Sequence, residues 1–330
     1  MATKRIKVAS NSGNPTINEL FSVGPGIEVP FFNFDTTGGQ KEGVPFIDDS
    51  YFFRVDFVRS LLIWEENVAG RNILVHGPTS SGKSSLIEQY CARVGKPVYR
   101  VACHVKTDFQ EFVGQLVIKQ DGSTDFIDGP LLRAMKEGAV FLADELNFLP
   151  PGVIGALNTV LDGGPLFVAQ TGTLVHPHPA FRFAATGNAI DGGTDAANYR
   201  GVQRMNIALL QRFLQVKVDY MTPPEEVGVL ARVAPSLKKY PALLESLVRI
   251  GCSLRGKYAE GAIHAILTTR TLVRACKILE YRQELLVSKP TIEEQIKIAL
   301  KLVLIDGANA VDQAVINGVI ERTILEPKAS

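Results

Sequence analysis

Five apolar runs recur along the first two thirds of the chain, and several of them end in polar residues. Such runs lack the polar alternation of a half-exposed strand, which is typical of parallel strands that are covered on both faces. Most of the segments between them have a helical pattern. We therefore predict an α/β domain with a parallel five-stranded sheet. The predicted strands cover residues 73–75, 98–103, 139–145, 181–188 and 213–218.

Two further segments have the pattern of β-hairpins. Asp121-Gly122 lies between two alternating stretches within residues 115–128, and Asp-Gly is among the strongest short-range hairpin signals. A second hairpin is predicted over residues 165–176, around Gln170-Thr171-Gly172. Each hairpin precedes one of the two central strand candidates.

A glycine-rich loop joins the first strand to a helical run, and it has the P-loop pattern G-x-x-x-x-G-K-[ST]. Its glycines permit backbone angles that point successive N–H groups into one concavity, and the helix N-terminus adds partial positive charge. We expect Lys83 to reach the β- and γ-phosphates of ATP and Ser84 to ligate Mg²⁺. A chance match in a polar turn is the alternative, and the flanking strand and helix disfavour it. The candidate nucleotide ligands are Gly77, Pro78, Thr79, Ser80, Ser81, Gly82, Lys83, Ser84 and Ser85.

The third strand candidate ends in two carboxylates, Asp144 and Glu145. The carboxyl end of a central parallel strand lies beside the phosphate crevice, so Asp144 is predicted to hold Mg²⁺, commonly through water, and Glu145 to polarise the attacking water. An acidic cap on the helix after Pro150 is the alternative. Asn188 ends the fourth strand and is a candidate to hold the same water, although Gly-Asn is equally typical of a turn.

The pattern changes at Thr222, where an N-cap, two prolines and two glutamates open a helix. From there to the C-terminus only helical periods are visible, with helices predicted over 223–233, 240–256, 269–285, 290–305 and 308–323.

Residues 1–50 have no helical period, and we expect the aromatic cluster at 31–34 to dock on the body or on a neighbouring subunit. The predicted parts are an N-terminal arm (1–50), an α/β nucleotide-binding domain (51–220) and a helical lid domain (221–330).

The composition indicates which classes of partner and which compartment to expect. The formal net charge is +1, so no overall basic field favours nucleic acid or an anionic membrane. The four cysteines are far apart and form no Cys-x-x-Cys pair, which is typical of a reducing compartment. No long apolar span and no signal-peptide pattern is visible. We therefore expect a cytoplasmic protein that does not contact membranes.

Together, the P-loop, the Asp144-Glu145 pair, the polar strand end, the arginine before the fifth strand and the helical C-terminal part resemble the AAA+ ATPases. The two hairpins resemble the helix-2 insert and the pre-sensor-1 hairpin of one AAA+ clade. Within that clade the chain resembles the MoxR group over roughly residues 25–325, and most of all the AAA+ subunits of aerobic cobaltochelatases. The matching stretches include residues 178–182, 185–188 and 203–213.

The resemblance implies roles for three further residues. Asn188 corresponds to sensor 1. Arg212 corresponds to the arginine finger, with Gln211 where the family usually has Asp, and Arg200 and Arg204 are alternatives for this role. Arg270 corresponds to sensor 2, although the proline that the family has before this arginine is missing here, which leaves the helix start uncertain. A surface arginine is the alternative for both Arg212 and Arg270.

The resemblance also implies a homo-oligomeric ring, a hexamer, with ATP at the subunit interfaces and a partner that carries a von Willebrand factor A domain. Three functions compete: a MoxR-like chaperone that remodels a protein, a cobaltochelatase subunit that acts with a large chelatase subunit to insert cobalt into a corrinoid, and a DNA motor. Asp121, Asp125 and Asp128 outnumber Lys119 around the first hairpin, which disfavours DNA. The sequence does not separate the first two.

Overall fold

A computed structural model describes residues 17–22, 42–188, 205–285 and 291–325. The chain divides into two units. The first includes Phe53–Gly77 and Gly82–Val218, and the second includes Ser50–Phe52, Pro78–Ser81 and the chain from Asp219 onward. The aromatic cluster at 31–34 and the polar loop at 191–203 lie outside the described residues.

In the first unit, strands and helices alternate as the apolar runs predict. One short helix, Ile17–Phe21, lies where no helical period is visible in the sequence. Phe21 of this helix is buried and stacks on Tyr90, with the ring centroids 5.5 Å apart. Tertiary packing therefore stabilises a helix that is too short to give a visible helical period in the sequence. The elements are α1 (Ile17–Phe21), α2 (Val55–Glu65), β1 (Asn72–His76), α3 (Lys83–Val94), β2 (Val98–Ala102), α4 (Phe109–Val113), β3 (Gly114–Ile118), β4 (Thr124–Asp128), α5 (Pro130–Glu137), β5 (Val140–Asp144), α6 (Pro151–Leu161), β6 (Leu166–Val168), β7 (Thr173–Val175), β8 (Arg182–Gly187), α7 (Ile207–Leu210) and β9 (Leu214–Lys217).

The five strands form one sheet in the order β2-β5-β8-β1-β9. Every neighbouring pair is parallel, which confirms the predicted sheet. β5 and β8 are buried along their whole length, as expected of central strands with both faces covered. Because parallel strands end at the same edge, the residues that follow β1, β5 and β8 meet there.

Aromatic side chains pack in a row across this sheet. Phe141 of β5 lies between Phe112 and Phe183, with ring centroids 5.3 Å away in both cases. Phe213, just before β9, continues the row at 6.0 Å from Phe183. Edge-to-face and tilted rings of this kind bury a large area and add roughly 0.5–1.5 kcal/mol per pair beyond it. The row packs β5 against β8, the two strands that end in Asp144 and in the residues before Asn188.

Both predicted hairpins are present as separate two-stranded sheets, β3–β4 and β6–β7. Each carries exposed apolar side chains. Ile118 in β3 is 81% exposed, and Phe167 in β6 is 61% exposed and pairs across the strands with Leu174, which is also exposed. Hairpins with apolar outer faces are typical of surfaces that contact another protein.

The described part of the second unit from Asp219 onward contains helices and no strand. The first helix begins as predicted, because the Glu225 carboxylate accepts the backbone N–H of Thr222 at 2.8 Å. Buried apolar side chains from these helices form a core separate from that of the first unit. Two 3-10 turns, Pro235–Lys239 and Ile305–Gly307, were not predicted. The helices are α8 (Pro223–Val233), α9 (Pro241–Ala259), α10 (Thr269–Leu285), α11 (Ile292–Val303) and α12 (Ala310–Leu325).

Among the helices described, none is both long and apolar enough to cross a membrane.

Candidate nucleotide-binding and hydrolysis site

The glycine-rich loop leaves β1 through a backbone conformation that only glycine adopts easily. Gly77 has φ of 147°, and a Cβ added there would lie 2.0 Å from the Val218 carbonyl oxygen. The loop start is fixed on both sides, since the Gly77 N–H donates to Gly187 O at 3.2 Å and the Val218 N–H to His76 O at 2.7 Å. A side chain at position 77 would therefore separate β1 from β9.

The loop ends at the N-terminus of α3, which begins at Lys83 after Gly82 in a left-handed conformation. Lys83 is buried, and its ammonium group donates to the Gly77 carbonyl oxygen at 3.0 Å. The Ser81 hydroxyl is also buried and has no hydrogen-bond partner in the described part of the chain. A buried cation and an unsatisfied hydroxyl at a helix N-terminus fit an anionic ligand such as a phosphate chain.

Asp144 ends β5 at this edge of the sheet, and its carboxylate has partners on both oxygens. Oδ1 accepts from the Ser84 hydroxyl at 2.5 Å and from the Thr186 hydroxyl at 2.6 Å. Oδ2 accepts from Arg100, through Nε at 3.1 Å and through Nη2. Burial acts to raise the pKa of Asp144, but the hydroxyl donors and the Arg100 charge outweigh it and lower that pKa. Asp144 is therefore ionised at neutral pH.

Glu145 follows in a strained left-handed conformation, with φ of 61°. Its N–H donates to the Thr186 hydroxyl at 2.9 Å, and the Asn188 amide donates to its Oε1 at 3.3 Å. Such a conformation costs roughly 1–3 kcal/mol and persists where the surroundings hold it. The structure thus brings Ser84, Asp144, Glu145 and Asn188 together.

The capping alternative for the acidic pair is wrong. Pro150 is the N-cap of α6, with no side-chain cap hydrogen bond. The residues directly after Glu145 instead form a 3-10 turn, Leu146–Phe148. The pair is therefore separated from α6, and its side-chain hydrogen bonds run to the P-loop helix, to β2, to β8 and to Asn188 after β8.

The donor set fits Mg²⁺. Mg²⁺ prefers oxygen ligands, and in phosphate-binding sites it is held by one or two protein oxygens together with substrate phosphates and waters. The Ser84 hydroxyl and the Asp144 carboxylate supply two adjacent oxygens beside the P-loop. Within the described residues no cluster of three or more His, Cys, Asp or Glu side chains forms a separate metal site.

Arg212 lies between α7 and β9, and its backbone and side chain are both anchored. Asn72 donates to its carbonyl oxygen at 2.9 Å. Its guanidinium donates to both Asp162 oxygens, at 2.7 and 3.2 Å, and to Ala208 O at 2.9 Å. The family usually has Asp at position 211, where this chain has Gln, and the carboxylate that pairs with Arg212 is Asp162. The alternatives Arg200 and Arg204 lie outside the described residues.

Arg270 lies in the second unit, exposed in the first turn of α10. This helix begins without the proline that the family has there. The Thr268 hydroxyl accepts the Thr271 N–H at 3.4 Å, which is the geometry of a helix cap. The contribution of Arg270 to nucleotide binding stays a prediction.

Three residues that contact the candidate site residues were missed from the sequence: Arg100, Thr186 and Asp162. Arg100 and Thr186 are polar residues inside apolar strand runs, which is a weak signal that such a residue faces a functional edge. Asp162 gave no signal, because it lies 50 positions before the arginine that it pairs with.

Comparisons with known proteins identify the family. The model of the AAA domain (dynein-related subfamily) matches residues 72–213. The chain is 34% identical over 206 residues to midasin of Dictyostelium discoideum, covering 61% of this chain but 3% of midasin. An uncharacterized protein of Staphylococcus haemolyticus is 34% identical over 198 residues, which are 58% of this chain and 72% of that protein.

Two further matches cover a larger share of the chain. Aerobic cobaltochelatase subunit CobS from Sinorhizobium sp is 27% identical over 268 residues, or 78% of each chain. A Thermotoga maritima RuvB mutant matches in structure with a TM-score of 0.52 and 15% identity, covering 86% of this chain and 82% of that one, and shows the fold alone. With its P-loop, its Asp144-Glu145 pair and its five-stranded parallel sheet, the chain belongs to the AAA+ ATPases and is an ATPase of the CobS and MoxR type.

Proposed function

We propose that this chain is a ring-forming motor that hydrolyses ATP to remodel a partner protein or complex. The observation that carries the proposal is the hydrogen-bonded series Ser84, Asp144, Thr186, Glu145 and Asn188 beside the P-loop. It joins the residue types needed to bind a metal-bound triphosphate to those needed to activate a water. An ion pair that only stabilised the fold would not need these residue types to be hydrogen-bonded in this series.

In this proposal each residue has one task. The P-loop N–H groups and Lys83 bind the β- and γ-phosphates. Ser84 and Asp144 hold Mg²⁺, which when bound neutralises charge on the phosphates. Glu145 polarises the attacking water, and the Asn188 amide, which contacts Glu145 here, orients the same water.

The ring is the second part of the proposal, and we propose a hexamer. An arginine that acts on a neighbour's ATP must be presented at the surface by a rigid element. Arg212 fits this requirement, because Asn72 and Asp162 fix it at the start of a sheet strand. Among the described residues, its contacts to Asp162 and Ala208 use three of its five N–H donors, which leaves two for a γ-phosphate.

The partner is proposed to carry a von Willebrand factor A domain, as the MoxR resemblance implies. The second candidate function is that of a cobaltochelatase subunit that acts with a large chelatase subunit, which the 78% coverage of CobS favours. The two functions share the ATPase cycle and differ in what the ring acts on. The exposed apolar residues of both hairpins support a protein as the contacted surface in either case.

A DNA motor is disfavoured, and we expect duplex DNA neither to bind tightly at physiological salt nor to raise ATP turnover. The β3–β4 hairpin has one cation, Lys119, and it is paired with Asp125 at 2.9 Å. ATPase rates with and without duplex DNA, and fluorescence anisotropy of labelled DNA, test this. Strong stimulation by DNA would instead make the helicase function the leading one.

The nucleotide site itself is tested by Lys83→Ala. Because Lys83 is the buried cation of the loop, its removal is expected to weaken binding of a fluorescent ATP analogue by at least about tenfold, the equivalent of 1.4 kcal/mol. Lys301→Ala removes an exposed lysine from α11 and is the matched control. Equal affinity of the wild type and the Lys83→Ala variant would contradict the assignment of the P-loop as the phosphate-binding site.

A further inference from the structure

Arg100 contacts the Asp144 carboxylate and also the carboxylate of a second acid, Glu88. It lies in β2, which pairs with β5, and its register partner is Leu142, two positions before Asp144. Its Nε and Nη2 donate to Asp144 Oδ2, and its Nη1 donates to Glu88 Oε1 of α3 at 3.0 Å. Its side chain is 44% exposed, so it is able to rearrange.

The Asp144 carboxylate is saturated in this arrangement. A carboxylate accepts about four hydrogen bonds, two at each oxygen. Oδ1 takes the Ser84 and Thr186 hydroxyls, and Oδ2 takes two N–H groups of Arg100. A metal-bound water can donate to Asp144 only after one of these four donors leaves.

Of these donors, Arg100 is the least constrained. Thr186 is fully buried and also accepts the Glu145 N–H, so its hydroxyl is fixed by two contacts. Ser84 keeps its hydrogen bond to Asp144 when its oxygen ligates a metal, because a hydroxyl donates and accepts at once. Arg100 is long and half-exposed, and it already has a second acceptor in Glu88.

We propose that Arg100 is a positioning residue that occupies Asp144 as a tethered cation in the nucleotide-free protein and shifts onto Glu88 when Mg²⁺ and ATP bind. Arg100 and Glu88 then set how strongly nucleotide binding depends on Mg²⁺. The inference rests on the proposed function, because it takes Asp144 to be the metal-binding carboxylate.

The proposal predicts opposite effects for the two partners. Arg100→Met removes the competing cation, so Mg²⁺ should strengthen nucleotide binding more than in the parent. Glu88→Gln removes the charged alternative partner, so Arg100 stays on Asp144 and Mg²⁺ should strengthen binding less. If Arg100 and Glu88 only supported the fold, both substitutions would weaken the Mg²⁺ effect.

The test uses the full chain with Glu145→Gln to prevent turnover. Affinity for a fluorescent ATP analogue is measured in MgCl2 and in EDTA. The readout is the dissociation constant in EDTA divided by that in MgCl2, so a higher ratio means a stronger effect of Mg²⁺. We expect Arg100→Met to raise this ratio roughly fivefold, the upper range for a partly exposed ion pair, and Glu88→Gln to lower it. Arg100→Lys keeps the charge but loses the two-N–H contact with Asp144, so its ratio should lie between those of the parent and of Arg100→Met.

A ratio that is unchanged or lower in Arg100→Met overturns the proposal. If thermal unfolding shows that the Arg100→Met chain is not folded, Arg100→Gln, which is polar and uncharged, takes its place with the same expected direction. A parent protein that does not bind the analogue, or binds it equally in MgCl2 and EDTA, contradicts the proposed function itself. The two failures are therefore distinguishable.

Discussion

Arg212→Ala is expected to lower ATP turnover by about 10³-fold or more while changing nucleotide affinity little. An arginine supplied by a neighbouring subunit stabilises charge on the γ-phosphate in the transition state and is typically worth 10³–10⁵ in rate. Because this contact forms mainly in the transition state, its loss lowers kcat more than it raises KM. Steady-state kinetics and binding of a fluorescent ATP analogue separate the two quantities.

The control for this substitution is Arg59→Ala. Arg59 is an exposed arginine of α2 that also pairs with a carboxylate, Asp56, at 3.2 Å. Its removal deletes a comparable surface ion pair from the same unit and should leave turnover within about twofold, since such pairs contribute little. A similar loss in both variants would mean that Arg212 acts through general surface charge.

A mixing titration tests whether Arg212 acts between subunits. Neither Arg212→Ala nor Lys83→Ala protein should turn over ATP alone. In mixed rings, some interfaces combine an intact P-loop with an intact arginine from the neighbour, and these should recover activity. No recovery despite confirmed co-assembly would remove Arg212 from this role and leave Arg200 and Arg204 as the candidates.

The strands and the P-loop were predictable because they depend on local sequence. β5 and β8 are buried along their whole length, so each contains a run of apolar residues, 140–143 and 183–185. The loop at Gly77 requires a glycine for a steric reason, the approach of the Val218 carbonyl, and the pattern records that requirement. The turn at Gly122 has φ of 81°, which likewise explains the Asp-Gly signal.

The contacts of the site were not predictable, because they depend on which strands lie side by side. Arg100 reaches Asp144 only because β2 pairs with β5, and Thr186 reaches it only because β8 lies on the other side of β5. The sequence separates these residues by more than 40 positions. Pairing of distant strands is a property of the whole sheet and leaves no local pattern.

The unusual residue at position 211 illustrates a related limit. The family usually has Asp directly before the arginine that Arg212 matches, and this chain has Gln211 there. Asp162, at the C-terminal end of α6, accepts from two N–H groups of the Arg212 guanidinium. The residue that pairs with Arg212 therefore comes from a distant part of the sequence, which no local motif indicates.

The second large effect is expected for Glu145→Gln. The substitution keeps the size of the side chain and its contact with Asn188, so nucleotide binding should persist. It removes the carboxylate that polarises the attacking water, and general-base contributions of this kind are typically worth about 10²–10⁴ in rate. Glu293→Gln, at a partly exposed glutamate of α11 that pairs with Lys297, is the matched control and should leave turnover unchanged.

The most direct test of the catalytic site is therefore to measure ATP occupancy and ATP turnover on the same Glu145→Gln sample at saturating Mg²⁺ and ATP. The account predicts occupancy within about twofold of the wild type together with a loss of turnover of at least about 10²-fold. Normal hydrolysis by the Glu145→Gln protein would contradict the assignment of Glu145 and, with it, the proposed mechanism.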